Sequence, residues 1–196
     1  MISLIPKEAI HKLHDALSQK RYNHSLRVME TAFLLADAWK NEYPVDQESL
    51  AWASLFHDCG KDISKEHRKI LCSNGSIRYG KELIKINKLN HAPIGALLLQ
   101  KQYGIQDHDI LMTVAYHPTG HPDLPPIGWM TYIADFLEPG RTFFERREEY
   151  LEEACRNPIL GLKKVTQLRM EAVLQKNKPI HPLTEQFMQF IDQMDI

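Results

Sequence analysis

A chain of 196 residues with 43% hydrophobic and 25% charged content can bury one well-filled core, so one domain over 1–196 is expected, with 177–196 forming a linker and a helix packed on it. A formal net charge of -1 excludes a general phosphate-backbone binder, so neither nucleic acid nor an acidic membrane surface is an expected partner. Cys59, Cys72 and Cys155 are odd in number and lack CxxC spacing, which indicates neither a disulfide framework nor a thiolate zinc site.

Apolar residues recur at intervals of three and four, with little alternation, so the expected fold class is all-α. Pro6 opens a helix to about Lys20, and Asn23 or His24 begins another whose buried face runs through Leu26, Met29, Phe33, Ala36 and Trp39 or Lys40. Asp46 is the expected N-cap of a helix to about Asp58, with Val45 and Leu50 placed as a hydrophobic staple. A short helix from Ser64 stops near Asn74-Gly75, another covers roughly Gly80 to Ile86, and Pro93 starts one through Tyr103 that Gly104 ends. Asp107 caps a helix through His117, where Pro118 breaks it. Helices from about Ile127 to Leu137, Glu145 to Arg156 and Pro158 to Asn177 follow, then the linker NKPIHP and a last amphipathic helix through Phe187, Phe190 and Ile191. The N-terminus has no basic leader and no apolar stretch approaches the roughly 20 residues that span a bilayer, so no membrane partner is expected and the cytoplasm is the expected compartment.

Into this helical frame the chain sets His24, His57, Asp58, His91, His117 and Asp135, six metal-ligating residues in mostly apolar surroundings. The His-Asp dipeptide occurs three times, but only His57-Asp58 ends an apolar run, LAWASLF; His14-Asp15 and His108-Asp109 sit among polar neighbours. Neutral imidazole with ionised carboxylate suits Fe, Mn, Zn or Co better than Mg. His24, His57, Asp58 and Asp135 are candidate ligands of one ion, with Asp58 bridging to a second held by His91 and His117. A pair roughly 3.5–4 Å apart suits clamping a phosphoryl group and generating hydroxide near neutral pH.

These residues resemble the HD-domain metal-dependent phosphohydrolases, in the order His24, His57-Asp58, Asp135. The blocks KRYNHSLRV, FHDCGK, NHAPIGA, YHPTG, IADFLEPGR and NKPIHP resemble, over nearly the whole chain, the YqeK-type branch of symmetrical diadenosine tetraphosphate hydrolases. Cys59, Pro118 and His181 stand where that branch often has tyrosine, threonine and tyrosine. The resemblance implies an all-helical HD fold, iron as cofactor in one or two ions (with Mn or Co able to substitute), and cleavage of a dinucleoside tetraphosphate into two nucleoside diphosphates. It also implies that His24, His57, Asp58 and Asp135 bind the first metal, with His91 and His117 near the second metal or phosphate.

Basic residues beside these blocks complete the expected site. Lys61 and Arg141 are candidate catalytic residues with Asp58, stabilising charge on the transferred and leaving phosphates, and Arg27 is a further phosphate contact. Thr119 and Gly120 lie in a loop whose backbone N–H groups face phosphate or simply make a turn. Ile180 and His181, in the linker, either cover a nucleoside or only connect two helices. The expected substrate is a small-molecule nucleotide, and a homodimer is compatible with the sequence. Two other readings stay open: an HD-type hydrolase of nucleoside monophosphates or cyclic nucleotides, and a noncatalytic nucleotide-binding module with a structural metal, although six donors exceed a closed tetrahedral site.

Overall fold

Every regular element among the residues described by a computed structural model, 1–73, 77–142 and 145–194, is helical. They are α1 (Lys7–Ala16), α2 (Gln19–Trp39), α3 (Gln47–Phe56), α4 (Lys65–Ser73), α5 (His91–Tyr103), α6 (His108–Tyr116), α7 (Pro126–Leu137), α8 (Arg147–Arg156), α9 (Pro158–Leu174) and α10 (Pro182–Met194). Single 3-10 turns lie at Ile2–Leu4 and Lys81–Leu83. The all-helical expectation is borne out. The stop near Asn74-Gly75 and the side chain of Cys72 lie outside the described residues, while Cys59 and Cys155 are free thiols. No helix among the described residues is long and apolar enough to cross a membrane.

The caps follow the local rules. Asp46 accepts from Ser49 N–H at 2.7 Å and Asp107 from Ile110 N–H at 2.9 Å, starting α3 and α6, and Gly104 ends α5 in the left-handed region at φ 72°. Three boundaries differ from expectation. The first helix ends at Ala16, not Lys20, because Leu17 turns extended to bury its side chain, and the Ser18 N–H is captured by Asp62 Oδ2 at 2.9 Å. With Ser18 held extended, α2 starts at Gln19 instead of Asn23 or His24, which gains it a turn carrying Arg21. The helix expected over Gly80–Ile86 is a 3-10 turn whose only buried side chain is Leu83, too little apolar surface to anchor more.

The buried stripe of α2 is also rotated from the expected one. Val28, Ala32 and Leu35 are fully sealed, whereas Leu26, Phe33 and Ala36 are half-buried, because α2 packs on α3, α7 and α8 together and so presents a broad face. At the centre lies α7, in which Ile127 through Asp135 and Leu137 are all buried. A helix apolar all round must be enclosed, and α2, α3, α6, α8 and α9 supply that enclosure. Trp39 donates to Ala154 O at 2.8 Å and ties α2 to α8, while α10 packs on α9 through Phe187 and Ile191.

One backbone crossing brings two distant helix ends together. Gly60, just beyond α3, lies so close to α5 that an added Cβ would land on the His91 carbonyl oxygen and within 2.9 Å of Gly95 N. Neither is a side chain that can swing away, so only glycine lets the His57-Asp58 corner meet the start of α5. Gly60→Ala should therefore lower stability by about 1–3 kcal/mol and reduce metal uptake, as measured by denaturant unfolding and metal titration; an unchanged midpoint would refute this role for the crossing.

Candidate metal centre

Five helices deliver six donors to one buried spot. His24 projects from α2, His57 and Asp58 follow the last residue of α3, His91 is the first residue of α5, His117 follows α6, and Asp135 lies in α7. His57, Asp58, His91, His117 and Asp135 are buried, and His24 nearly so. Donor atoms of His24, His57 and Asp58, of His57, His117 and Asp135, and of Asp58, His91 and His117 form three groups, each within 4.8 Å. Asp58 Oδ1 lies 3.4 Å from both His91 Nε2 and His117 Nε2, while its Oδ2 lies 3.9 Å from His57 Nε2. Asp58 thus stands between the two sets, where the sequence expectation puts a bridge. By contrast His14, Asp15, His108 and Asp109 are exposed.

Two of the imidazoles, His57 and His117, are held in ligand form. His57 Nδ1 donates to Ser54 O at 2.8 Å and His117 Nδ1 to Val114 O at 2.9 Å; a carbonyl only accepts, so the proton is on Nδ1 and the Nε2 lone pair faces the centre. Burial pulls the His57 pKa down to about 4, so the ring is neutral at pH 7. Its Nε2 is fully buried without a hydrogen-bond partner, an orphaned lone pair that a metal would use. His24 is anchored by a carboxylate, Nδ1 donating to Glu138 Oε1 at 3.1 Å. Although its burial and the Arg141 charge oppose the charged form, the hydrogen bond to Asp135, the Asp135 charge and the hydrogen bond to Glu138 together raise the His24 pKa.

Burial would also raise the carboxyl pKa values, yet Asp58 and Asp135 stand well below the usual range because surrounding imidazoles and cations outweigh desolvation. On Asp135, Arg141 reaches Oδ1 at 2.6 Å, Arg169 reaches Oδ2 at 3.1 Å, and His24 Nε2 lies 3.1 Å from Oδ1. The donors are imidazole and ionised carboxylate, and the thiol of Cys59 beside them is buried, pushed up in pKa, and turned to Gly95 O. Histidines and carboxylates with an orphaned Nε2 fit a divalent metal.

The basic residues lie near the centre in differing roles. Lys61 Nζ is 3.7 Å from Asp58 Oδ1 and lines a cleft with Arg68, Asn87, Lys88 and His91. Arg141 is taken up with Asp135, donating to both its backbone O and Oδ1. Arg27 pairs with Glu138, which also accepts from Gly140 N–H; this arginine holds the carboxylate that holds His24. The amides of Thr119 and Gly120 both donate to Tyr116 O, at 3.1 and 2.8 Å, which is the plain-turn arrangement of the two that the sequence left open. These N–H groups close the end of α6. Gly120, at φ 73°, is packed against Phe187.

Beside the centre opens a largely apolar cavity of about 780 Å³, lined by Ile86, Leu89, Pro118, Thr119, Met170, Val173 and the strap 178–182, with Arg169 in its wall. Ile180 and His181 both line this cavity. Two residues were not anticipated from sequence. Glu138, directly after the buried run of α7, carried a signal: a carboxylate at a helix C-terminus opposes the macrodipole and needs a reason. Arg169 carried none, being one cation on a long amphipathic helix.

An all-helical fold that gathers histidines and aspartates around a divalent-metal site defines a class, and the comparisons agree. The HD domain family matches residues 21–156. A solved structure described as a predicted HD superfamily hydrolase involved in NAD metabolism, from Clostridium acetobutylicum, aligns at a TM-score of 0.84 and 31% identity, covering 97% of this chain and 98% of its own. The symmetrical bis(5'-nucleosyl)-tetraphosphatase of Bacillus subtilis is 32% identical over 181 residues, 91% of this chain and 92% of that protein. That of Staphylococcus aureus is 37% identical over 133 residues, 65% of this chain and 63% of that protein. The chain belongs to the HD-domain family and, within it, to the branch of the symmetrical bis(5'-nucleosyl)-tetraphosphatases.

The Glu138–His24 contact makes a quantitative expectation. Glu138→Gln should weaken metal affinity by about 10–100-fold, the usual effect of losing an outer carboxylate, as read by competition with a chelating dye. Affinity unchanged within a factor of two would show that His24 needs no such anchor.

Proposed function

We propose that this chain hydrolyses bis(5'-nucleosyl) tetraphosphates, diadenosine tetraphosphate foremost, to two nucleoside diphosphates. The observation that carries this reading is the adjacency of a six-donor His/Asp centre, a basic cleft beside Lys61 and an apolar cavity of nucleoside size. A polyanion with apolar ends suits that sequence of surfaces, and the relatives' names agree with it.

In this reading His24, His57, Asp58 and Asp135 would hold a first ion, and His91, His117 and Asp58 would hold a second. Iron suits the donor set, with Mn or Co as substitutes. Held there, the metal would supply activation of water near neutral pH and positive charge to offset the phosphates. The protein's own part is arrangement. His57 and His117 keep their protons on Nδ1, so both Nε2 atoms stay available as ligands. Lys61 neutralises the departing diphosphate along the cleft it shares with Arg68 and Lys88, and that leaving group needs little protonation because it is a stable anion. Arg141 offers its remaining donors to the phosphates while keeping Asp135 ionised. Thr119, Ile180 and His181 hold a nucleoside and exclude water from its side of the centre. Free thiols at Cys59 and Cys155 support a reducing compartment, the cytoplasm.

Purified without oxygen, the protein should contain iron and convert diadenosine tetraphosphate to ADP as the only initial product. In isotopically labelled water one labelled oxygen should appear per two ADP. Early ATP with AMP, or much faster turnover of a monophosphate or cyclic nucleotide, would replace this reading. Lys61→Ala should keep its metal and lose about 1.5–3 kcal/mol in kcat/KM, the scale of a charge-assisted contact; normal kinetics would return Lys61 to a solvated surface role.

A further inference from the structure

Arg169 is used on one side only. Its NH2 nitrogen makes both of its hydrogen bonds, to Tyr132 O at 2.8 Å and Asp135 Oδ2 at 3.1 Å. Its Nε is fully buried with no partner, and no hydrogen bond from NH1 occurs among the described residues. The guanidinium carbon lies 4.3 Å from the Tyr132 ring centroid and 5.2 Å from that of Phe136, cation–π contacts that help to hold it in place. A fork with five donors that spends two, buries Nε–H unpaired and leaves the NH1 pair without a hydrogen bond is an unfinished anion site. Arg169 forms part of the wall of the apolar cavity together with Pro118 and Thr119, the two residues after the candidate ligand His117.

We infer that Arg169 is a specificity-determining residue that receives the phosphate next to the nucleoside held in the cavity, while its other edge holds Asp135. The inference rests on the proposed substrate and deepens it. A nucleoside in the cavity places its first phosphate on the free donors of Arg169, and the guanidinium spans from there to Asp135, so the second phosphate comes over the His/Asp centre. The anhydride cut is then the one beyond the second phosphate, which leaves a nucleoside diphosphate in the cavity. Register is measured from the nucleoside end by one rigid arginine. Arg169, like the strap 178–182, lies outside residues 21–156 that match the HD domain, so the general metal centre and the device that selects its substrate come from different stretches of the chain.

The test compares ADP with adenosine, two probes that differ only in phosphate, by calorimetry on the metal-loaded protein and on Arg169→Gln and Arg169→Lys. Metal content and melting temperature are measured on each. Wild type should bind ADP far more tightly than adenosine, and Arg169→Gln should shrink that gap by about tenfold to a hundredfold with adenosine affinity unchanged. Arg169→Lys, which keeps a cation on Asp135, should retain metal and fold yet recover only part of the gap, and should release ATP with AMP beside ADP from the tetraphosphate. If either folded, metal-loaded variant keeps the full gap, the inference is overturned, and the lysine variant decides should the glutamine variant not fold. Should the protein leave diadenosine tetraphosphate intact while the gap still depends on Arg169, the substrate reading fails and the phosphate contact stands. Should it yield ADP with a gap indifferent to Arg169, the reverse holds.

Discussion

Three carboxylates at the edge of an apolar core, Asp58, Asp135 and Glu138, set the terms for the rest of the structure. An isolated carboxylate buried among helices would take up a proton rather than bear its charge. Each instead sits among a dedicated set of partners: the cations Lys61 and Arg21, with His91 and His117, around Asp58, Arg141, Arg169 and His24 around Asp135, and Arg27, His24 and the Gly140 amide around Glu138. These partners come from helices throughout the chain, so the packing of α2 on α7, α5 on α6 and α9 on α7 is coupled to a single charge network. The same cations that stabilise the carboxylates leave the spot attractive to a polyphosphate, a second use of one field.

Two helices solve the ligand problem in the same local way. Both α3 and α6 end at an aromatic residue, Phe56 or Tyr116, and the next residue is a histidine that caps its own helix by donating Nδ1–H to the carbonyl three residues back. The cap satisfies one of the free carbonyls every helix end leaves. It also fixes the tautomer and ring direction, so His57 and His117 arrive with Nε2 inward before any ion is present. His24 and Glu138 reach the same end across α2 and α7 with a carboxylate in place of the carbonyl. Ligands held by this second layer are rigid enough for a metal site to be precise.

The cavity has a different origin. Its walls come from the turn before α5, the loop after α6, the inner face of α9 and the strap leading to α10. Phe187 of α10 packs on Gly120, where a side chain would have no room, and so fixes the strap against the loop after His117. The candidate ligands and the cavity wall meet at Leu89 before His91, at Pro118-Thr119 after His117 and at Arg169 on Asp135.

Much of this was legible before folding. The helix caps at Asp46, Asp107 and Gly104, the all-helical pattern and the six donors are local or compositional signals, and they derive from turn geometry, helical period and the cost of burying imidazole and carboxylate without partners. Three kinds of feature were not. The break at Leu17-Ser18 has no glycine or proline and exists because Asp62, 44 residues away, captures an amide. The pairing of Arg27 with Glu138 and of the Thr119 and Gly120 amides with Tyr116 depended on which acceptor lay nearer, and spacing along a chain does not encode that. Glu138 and Arg169 act through residues that only folding makes neighbours, the latter 34 positions from Asp135. The sequence by itself determined which chemical groups are present and which helices carry them; tertiary packing alone decided which cation neutralises which carboxylate, because in a buried network that choice turns on ångström distances between elements and not on the residues' own nature.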